Sequence, residues 1–563
     1  MTTIDPTNRA AGRARRRTRP VLTAVAALSS VAVLAACGGG GGGTGSSGGD
    51  GEAVYALSAA DTPNYVPVDL VEPQFPGVDG SAPGFTAIPD PLVDAFDSPP
   101  GSGGTYTAMT PLWGTIPPTE GNAYFDAVNE AIGTTINFQI SDGNTYGDKL
   151  AAVLASPRDV ADWTTIPLWN VPPRFDDAVG SLFADLTPHL AGDAVEDYPY
   201  LANIPTEAWQ ACSWNGKIYG LPMPRELSLT DYALYRSDLV GEDPLPENPD
   251  ELIDFLVDHT GGGTWGANDL WAVATVMFGV LPSDGWEVGE DGALVHRVET
   301  PEYRAALEWM TELYASGAVH PDAVADNQGD AGTRFEGGQV LVTSTGLGYW
   351  HEALTRNRAA NPDFDIDVLP LMSGDGGDPV IYKPEGAAMC SFLKQTDDEA
   401  QLTELLDVAN FLASPFGTEE FQLINYGIEG THYDLDENGL PVATTQAQSE
   451  VQPSYIFMAG PPAVNAKPDL PDYVEKRSAW AADNAQYVVE PLFYGMNIAE
   501  PNQYASIGQP FADLEKDIAR GRATMDDLDA AVATWRTSGG DELRTFYTEI
   551  YEGLESEGGS ASS

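Results

Sequence analysis

The chain has 563 residues and a formal net charge of −57 at pH 7, and 42% of its residues are hydrophobic. This length and composition suffice for two domains with a large buried core, and they exclude a wholly disordered chain. The strong negative charge repels nucleic acid and anionic lipid, so neither is expected as a partner. We interpret the acidity as a source of solubility and not as an acidic functional patch.

The first 52 residues have the pattern of a lipoprotein signal peptide (1–36) followed by a Gly/Ser-rich tether (37–52). An arginine-rich start and a short apolar run at 21–33 lead into Leu34-Ala35-Ala36-Cys37, which matches a lipobox with Cys37 as the lipidated residue. The run is shorter than the roughly 20 residues that span a bilayer, which disfavours a signal anchor. We therefore expect an exported protein, by the Sec or the twin-arginine route, held to the outer face of the cytoplasmic membrane by its lipid alone.

Besides Cys37, the chain has two cysteines, Cys212 and Cys390. An exported chain works in an oxidising compartment, where an even pair of cysteines is compatible with a disulfide. Two buried free thiols fit the sequence equally well, so both alternatives stay open at this point.

Residues 53–104 are rich in Pro, Gly and Asp, yet large apolar side chains are spaced among them. We predict an irregular arm that packs along the first domain. From residue 105 strand and helix patterns alternate, with strands at 105–112, 134–140 and 162–166 and with helices at 123–132 and 146–154. This order predicts an α/β sheet with crossover helices, in which ligands bind at the carboxyl ends of the strands.

Capping residues and apolar spacing mark the later helices. Helices are predicted to begin at Asn248-Pro249, Thr300-Pro301, Thr396, Thr524 and Asp541. Strands are predicted between them at 339–344 and 366–369. No internal repeat is visible, which argues against solenoid and propeller folds.

Several ordered motifs then become recognisable as those of a known family. Asn215-Gly216-Lys217-Ile218-Tyr219-Gly220-Leu221-Pro222, followed by Leu234-Tyr235-Arg236-Ser237-Asp238-Leu239, resembles the signature of family 1 extracellular solute-binding proteins of ABC importers. The strings at 335–340, 421–433, 518–521 and 525–528 are similar to a long lipoprotein branch linked to oligosaccharide uptake. The resemblance implies a type II periplasmic-binding-protein-like fold, with two α/β lobes joined by hinge strands that close on a sugar or a similar polar solute.

On this resemblance the N-terminal lobe comprises residues 105–224 plus 384–430. The C-terminal lobe and the closing helices comprise 225–383 plus 431–563. A monomer that delivers its solute to a pair of permease subunits is expected, with no cofactor and no metal. The branch often carries a calcium loop, but residues 261–266 have no carboxylate, and the loop-like string from Asp434 has Thr445 where a calcium loop needs Glu. We interpret that string as a hairpin turning at Asn438-Gly439.

Sugar binding needs aromatic faces for the C–H surface of the sugar, and amides, carboxylates and guanidinium groups for its hydroxyls. The candidates occupy three kinds of position: ends of predicted strands, the first passage between lobes, and a family-like Gly-rich loop. In that order they are Trp113, Trp169, Asn170, Tyr349 and Trp350; Arg225 and Glu226; Asn425 and Tyr426. Each aromatic could instead be a core or loop anchor, and the two charged residues could be a hinge ion pair.

A secreted polysaccharide hydrolase and a surface adhesin are the alternatives. A hydrolase needs two carboxylates about 5 to 9 Å apart, and a chain with 84 acidic residues offers no particular pair. Gly101-Ser102-Gly103 lies in a linker and does not make a nucleophile elbow. The six histidines show no metal-binding spacing.

Overall fold

The structure is a computed structural model that describes residues 55–558, except 229–230, 284, 328, 437–438 and 505. The predicted signal peptide, Cys37 and the tether lie outside the described residues. Among the helices of the described part, none combines the length and the apolar character that a membrane crossing requires.

Nine strands build the two main sheets. They are β1 (Thr105–Leu112), β2 (Thr135–Asp142), β3 (Trp163–Pro167), β4 (Gly220–Pro224), β5 (Asp231–Tyr235), β6 (Trp265–Ala267), β7 (Val340–Gly346), β8 (Asp367–Val368) and β9 (Ala387–Leu393). The first sheet has the order β2-β1-β3-β9-β4, and the second has the order β8-β5-β7-β6. Two α/β lobes result, as the resemblance implies.

One edge of the first sheet gathers the residues that matter for the site. The strands β1, β2 and β3 run parallel, so their carboxyl ends share this edge. The strand β9 is antiparallel to both β3 and β4, so its beginning and the end of β4 lie at the same edge. The residues that follow β1, β3 and β4 therefore project from one side of the lobe.

Helices cover both sheets. Those packed with the first sheet are Ala123–Ile132, Tyr146–Leu154, Phe175–Leu182, Thr187–Leu190, Pro199–Ala202, Thr206–Ala211, Glu399–Leu412, Glu419–Tyr426 and Thr445–Glu450. Those of the second lobe are Ser237–Val240, Pro249–Asp258, Trp271–Met277, Pro301–Ser316, Pro321–Val324, Ala331–Glu336, Gly348–Arg358, Pro471–Asn484, Gln509–Ala519, Met525–Trp535 and Asp541–Gly558.

The predicted helix ends are largely those observed. Gly133 and Gly317 end their helices with positive φ values of 66° and 81°, which glycine adopts without a Cβ clash. Thr524 forms a reciprocal capping box with Asp527. The prediction for Thr396 was wrong, because Asp398 caps that helix and Thr396 instead accepts a hydrogen bond from the Asp398 amide.

Each lobe has its own hydrophobic core. The first core centres on Trp163, Trp209 and Phe392, and the second on Tyr303, Trp350 and Phe335. Tyr455, Met458 and Ala459 belong to the first core. The sequence-based boundary, which assigned residues 431–563 to the second lobe, therefore differs from the packing, and the chain enters the second lobe only after about residue 460.

Three crossovers join the lobes. The first leads from Pro224 to Asp231, the second from Val368 to Ala387, and the third from Gly460 to Pro471. Short parallel strand pairs strengthen the second and third: Ile381–Tyr382 with Val488–Val489, and Gly84–Phe85 with Asn465–Ala466.

The arm packs along the first lobe, but it also reaches the hinge. Leu57 and Phe96 contact the first core, whereas Phe75 contacts the second. The Leu227 amide in the first crossover donates to the Gly80 carbonyl at 3.0 Å. Because the arm also pairs with the third crossover, it is part of the connection between the lobes.

Cys212 and Cys390 form a disulfide, which settles the alternative that the sequence left open. The bridge links the end of the helix Thr206–Ala211 to β9, inside the first core. The predicted hairpin is also present, since Tyr433–Leu435 pairs antiparallel with Pro441–Ala443; Asn438 itself lies outside the described residues.

Candidate functional site

An exposed aromatic pair stands at the carboxyl edge of the first sheet. Trp113 follows β1 and Trp169 follows β3, and their ring centroids lie 5.8 Å apart at 50°. Their exposed fractions are 42% and 61%, which is unusual for the largest apolar side chain. Asn170, the next residue, has a buried Oδ1 without a hydrogen-bond partner in the described part of the chain. The structure thus brings these three candidates together.

Two consecutive residues of the first crossover, Arg225 and Glu226, each line a cavity at the hinge. The Arg225 cavity, of about 410 Å³, is bounded by Arg225, by Asp231 and Trp271 of the second lobe, and by Tyr382 of the second crossover. Burial lowers the pKa of Arg225, and the carboxylates of Asp231 and Glu385 partly oppose that shift. The guanidinium therefore stays cationic in a partly dehydrated cavity that also offers an aromatic ring.

The Glu226 cavity, of about 220 Å³, is lined by Glu226 of the first crossover, by residues of the second lobe and by residues of the third crossover. The Glu226 carboxylate accepts a hydrogen bond from Arg477 Nη2 at 2.6 Å and another from Ser228 Oγ at 2.7 Å. Glu226 thus takes part in an ion pair at the hinge, with Arg477 of the helix Pro471–Asn484 as its cation.

A longer groove lies next to the Arg225 cavity. It has a volume of about 710 Å³ and is lined by residues 168 and 171–177 of the first lobe, by Ser283 and Tyr547 of the second, and by residues 496–502. Ser283 also lines the Arg225 cavity, so the two spaces adjoin. We call this space the interlobe groove; Leu168 in its wall directly precedes Trp169.

Trp350 is not available to a ligand, which corrects the sequence-based expectation. It is fully buried in the second core, and its indole N–H donates to the Ile366 carbonyl at 2.8 Å. Tyr349 is half-buried; its hydroxyl is hydrogen-bonded to Glu336, and the Arg356 guanidinium lies 5.3 Å from its ring centroid. These contacts hold Tyr349 within the second lobe.

Tyr426 contacts the arm and the third crossover, whereas Asn425 is bonded within its own helix. The Asn425 amide donates to the Phe421 carbonyl of its own helix at 2.9 Å. The Tyr426 hydroxyl donates to the Ala466 carbonyl at 3.3 Å, and its ring packs against the small cluster that contains Phe85. Burial raises the pKa of Tyr426, so it remains a neutral donor.

Sequence reasoning missed several residues that line the hinge cavities. Trp271 begins a helix directly after β6, so the rule of strand ends could have found it. Lys467 and Arg477 line the Glu226 cavity from the third crossover and the helix after it, where no strand pattern points to them. Within the described residues, no group of three or more His, Cys, Asp or Glu side chains is placed to hold a metal ion.

Two α/β lobes, three crossovers and a groove between the lobes define a two-lobed binding protein of the periplasmic type. The family model described as bacterial extracellular solute-binding protein matches residues 123–427. The chain belongs to this family, which confirms the resemblance found in its sequence motifs.

Similar proteins are found among both sequences and structures. Lipoprotein LipO of Bacillus subtilis is 24% identical over 496 residues, which cover 82% of this chain and 94% of LipO. The polygalacturonan/rhamnogalacturonan-binding protein YtcQ of the same organism is 23% identical over 400 residues, which cover 64% of this chain and 75% of YtcQ. An HMO-binding, ABC-transporter-associated solute-binding protein from Bifidobacterium longum infantis has a TM-score of 0.58 at 13% identity, and the match covers 80% of this chain and 99% of that chain.

Proposed function

We propose that the protein captures an oligosaccharide between its lobes and delivers it to an ABC permease without altering it. The observation that carries this proposal is the exposed Trp113–Trp169 pair beside the interlobe groove. Exposed indole faces suit the apolar C–H surface of a sugar ring, and the polar hinge cavities suit its hydroxyls. The name of YtcQ, a polysaccharide-binding relative, supports the same ligand class.

Lobe closure supplies the switch in this proposal. The open form captures the solute on one lobe, and closure adds contacts from the other lobe and expels water. Closure is favoured only by the extra affinity that the closed form has for the solute. The closed form then docks on the permease subunits.

The test is calorimetric titration of the purified protein with neutral and acidic oligosaccharides of two to six units. Saturable binding, with the sugar recovered intact after prolonged incubation, supports capture for transport. Release of shorter products would instead establish the hydrolase alternative. Small-angle scattering with and without the bound sugar checks closure, and an unchanged radius of gyration would contradict a closing mechanism.

We further propose that a lipid on Cys37 holds the protein at the membrane, as the lipobox predicts. The name of LipO, a lipoprotein, supports this anchoring. Cys37→Ala should release the protein into the medium of the producing cells while wild type stays with the membrane fraction. Equal partitioning of the two proteins would refute the anchor and leave the sugar-binding proposal untouched.

A further inference from the structure

The Glu226 cavity has a positive lining in a strongly negative protein. The chain has 84 acidic and 27 basic residues, yet Arg477 and Lys467 both line this cavity, against one carboxylate, Glu226. Glu226 is already neutralised by Arg477 Nη2 at 2.6 Å. His351 also lines the cavity, and burial holds its pKa well below the usual value, so it is neutral at pH 7. Among the residues that line the cavity, Lys467 is therefore the cation that Glu226 does not neutralise.

Arg477 has a donor that the protein leaves unused. Its side chain is only 7% exposed, and its Nη1 is buried without a hydrogen-bond partner among the described residues. Leaving such a donor unmatched is unfavourable, so buried guanidinium groups normally have all their N–H groups paired. A ligand oxygen in the cavity would remove that cost.

The charged form of Lys467 is also destabilised inside the cavity. Burial lowers its pKa because the ammonium loses hydration, and the carboxylates of Asp469 and Glu352 offset only part of that effect. An anion in the cavity would compensate the ammonium directly. A volume of about 220 Å³ is sufficient for one sugar unit and too small for a long chain.

On the basis of the proposed sugar-binding function, we propose that the Glu226 cavity is a carboxylate subsite that selects an acidic, uronate-type sugar unit. Arg477 Nη1 and Lys467 Nζ bind the carboxylate, and Asn465 and Ser478 frame the same cavity. In this subsite the two cations select for charge. The solute is accordingly an acidic oligosaccharide.

The decisive experiment compares trigalacturonate with its methyl ester, which has the same rings without the negative charges. Wild type should bind the acid at least tenfold more tightly than the ester. Lys467→Gln should weaken acid binding by about ten- to a hundredfold, as expected for a charged hydrogen bond, and should change ester binding less than twofold. Lys516→Gln, which removes an equal charge at a site that is 52% exposed, is the matched control and should leave both affinities unchanged.

A second variant tests the sign of the effect. Glu226→Gln removes the carboxylate of the cavity but keeps a hydrogen-bond acceptor for Arg477 and Ser228, so the preference for acid over ester should increase. Equal binding of acid and ester by wild type would overturn the carboxylate subsite and leave the proposed function standing. Failure of every tested oligosaccharide to bind would overturn both. Thermal denaturation confirms that each variant is folded.

Discussion

Removal of the most exposed indole gives a direct test of sugar stacking. A tryptophan contributes roughly 250 Å² of surface, and Trp169 is 61% exposed, so about 150 Å² is open to a ligand. A sugar ring covers roughly half of that, and about 75 Å² at about 25 cal/mol per Å² corresponds to about 2 kcal/mol. Trp169→Ala should therefore weaken oligosaccharide binding about thirtyfold.

Calorimetry measures the affinity, and quenching or blue-shift of tryptophan fluorescence on sugar addition reports the same contact. Tyr65→Ala is the control, because Tyr65 is 50% exposed but lies on the arm. The stability of Trp169→Ala should be close to that of wild type, since little buried surface is lost. A variant with unchanged affinity and no change in the fluorescence response would refute stacking on Trp169.

Three predictions concern stability. Burial raises the pKa of the Glu404 carboxyl, but hydrogen bonds from the Thr134 hydroxyl, the Gly104 and Ser102 amides and the Tyr106 hydroxyl outweigh it and lower that pKa from 4.5 to about 2. Glu404→Gln should therefore lower the free energy of unfolding by about 3 kcal/mol above pH 4.5. In urea titrations its difference from wild type should vanish as the pH falls to about 2, and a pH-independent difference would contradict this origin. Replacing Cys212 and Cys390 by Ala opens a link of 178 residues and should cost about 2 to 5 kcal/mol in thermal denaturation; equal melting with and without the bridge would refute it. Trp350→Phe should lower the free energy of unfolding by about 1 to 3 kcal/mol and leave sugar affinity unchanged. A loss of affinity in the folded variant would show that Trp350 contributes to sugar binding.

Local signals were sufficient for most of the fold. Glycine at helix ends and Thr or Asn at helix starts act within one or two turns, so the sequence itself shows them. The error at Thr396 arose because two oxygen-bearing side chains two residues apart compete for the same cap, and Asp398 has the better position. The boundary at residue 431 was wrong for a different reason, since packing of Tyr455 against the first core depends on long-range contacts.

The strand-end rule found the position of the site but not which side chains face it. After β7 the chain enters a helix at Gly348, so successive side chains rotate by about 100°. Trp350 consequently turns into the second core, whereas Gly348 and His351 line the Glu226 cavity. After β3 a single short turn keeps Trp169 at the surface. Trp169 and Trp350 both follow strands, but the short turn after β3 leaves Trp169 exposed, whereas the helix after β7 buries Trp350.

The arm changes how the hinge should be understood. Its residues Gly84–Phe85 form a parallel strand pair with Asn465–Ala466 of the third crossover. The Gly80 carbonyl accepts a hydrogen bond from the Leu227 amide of the first crossover. A Cβ on Gly84 would lie 2.4 Å from Ser478 Oγ, so the arm packs too closely on the helix Pro471–Asn484 for any larger residue. That helix carries Arg477, and Ala82 of the arm lines the same cavity. Residues 80–85 of the arm are therefore a structural part of the Glu226 cavity and of the hinge around it.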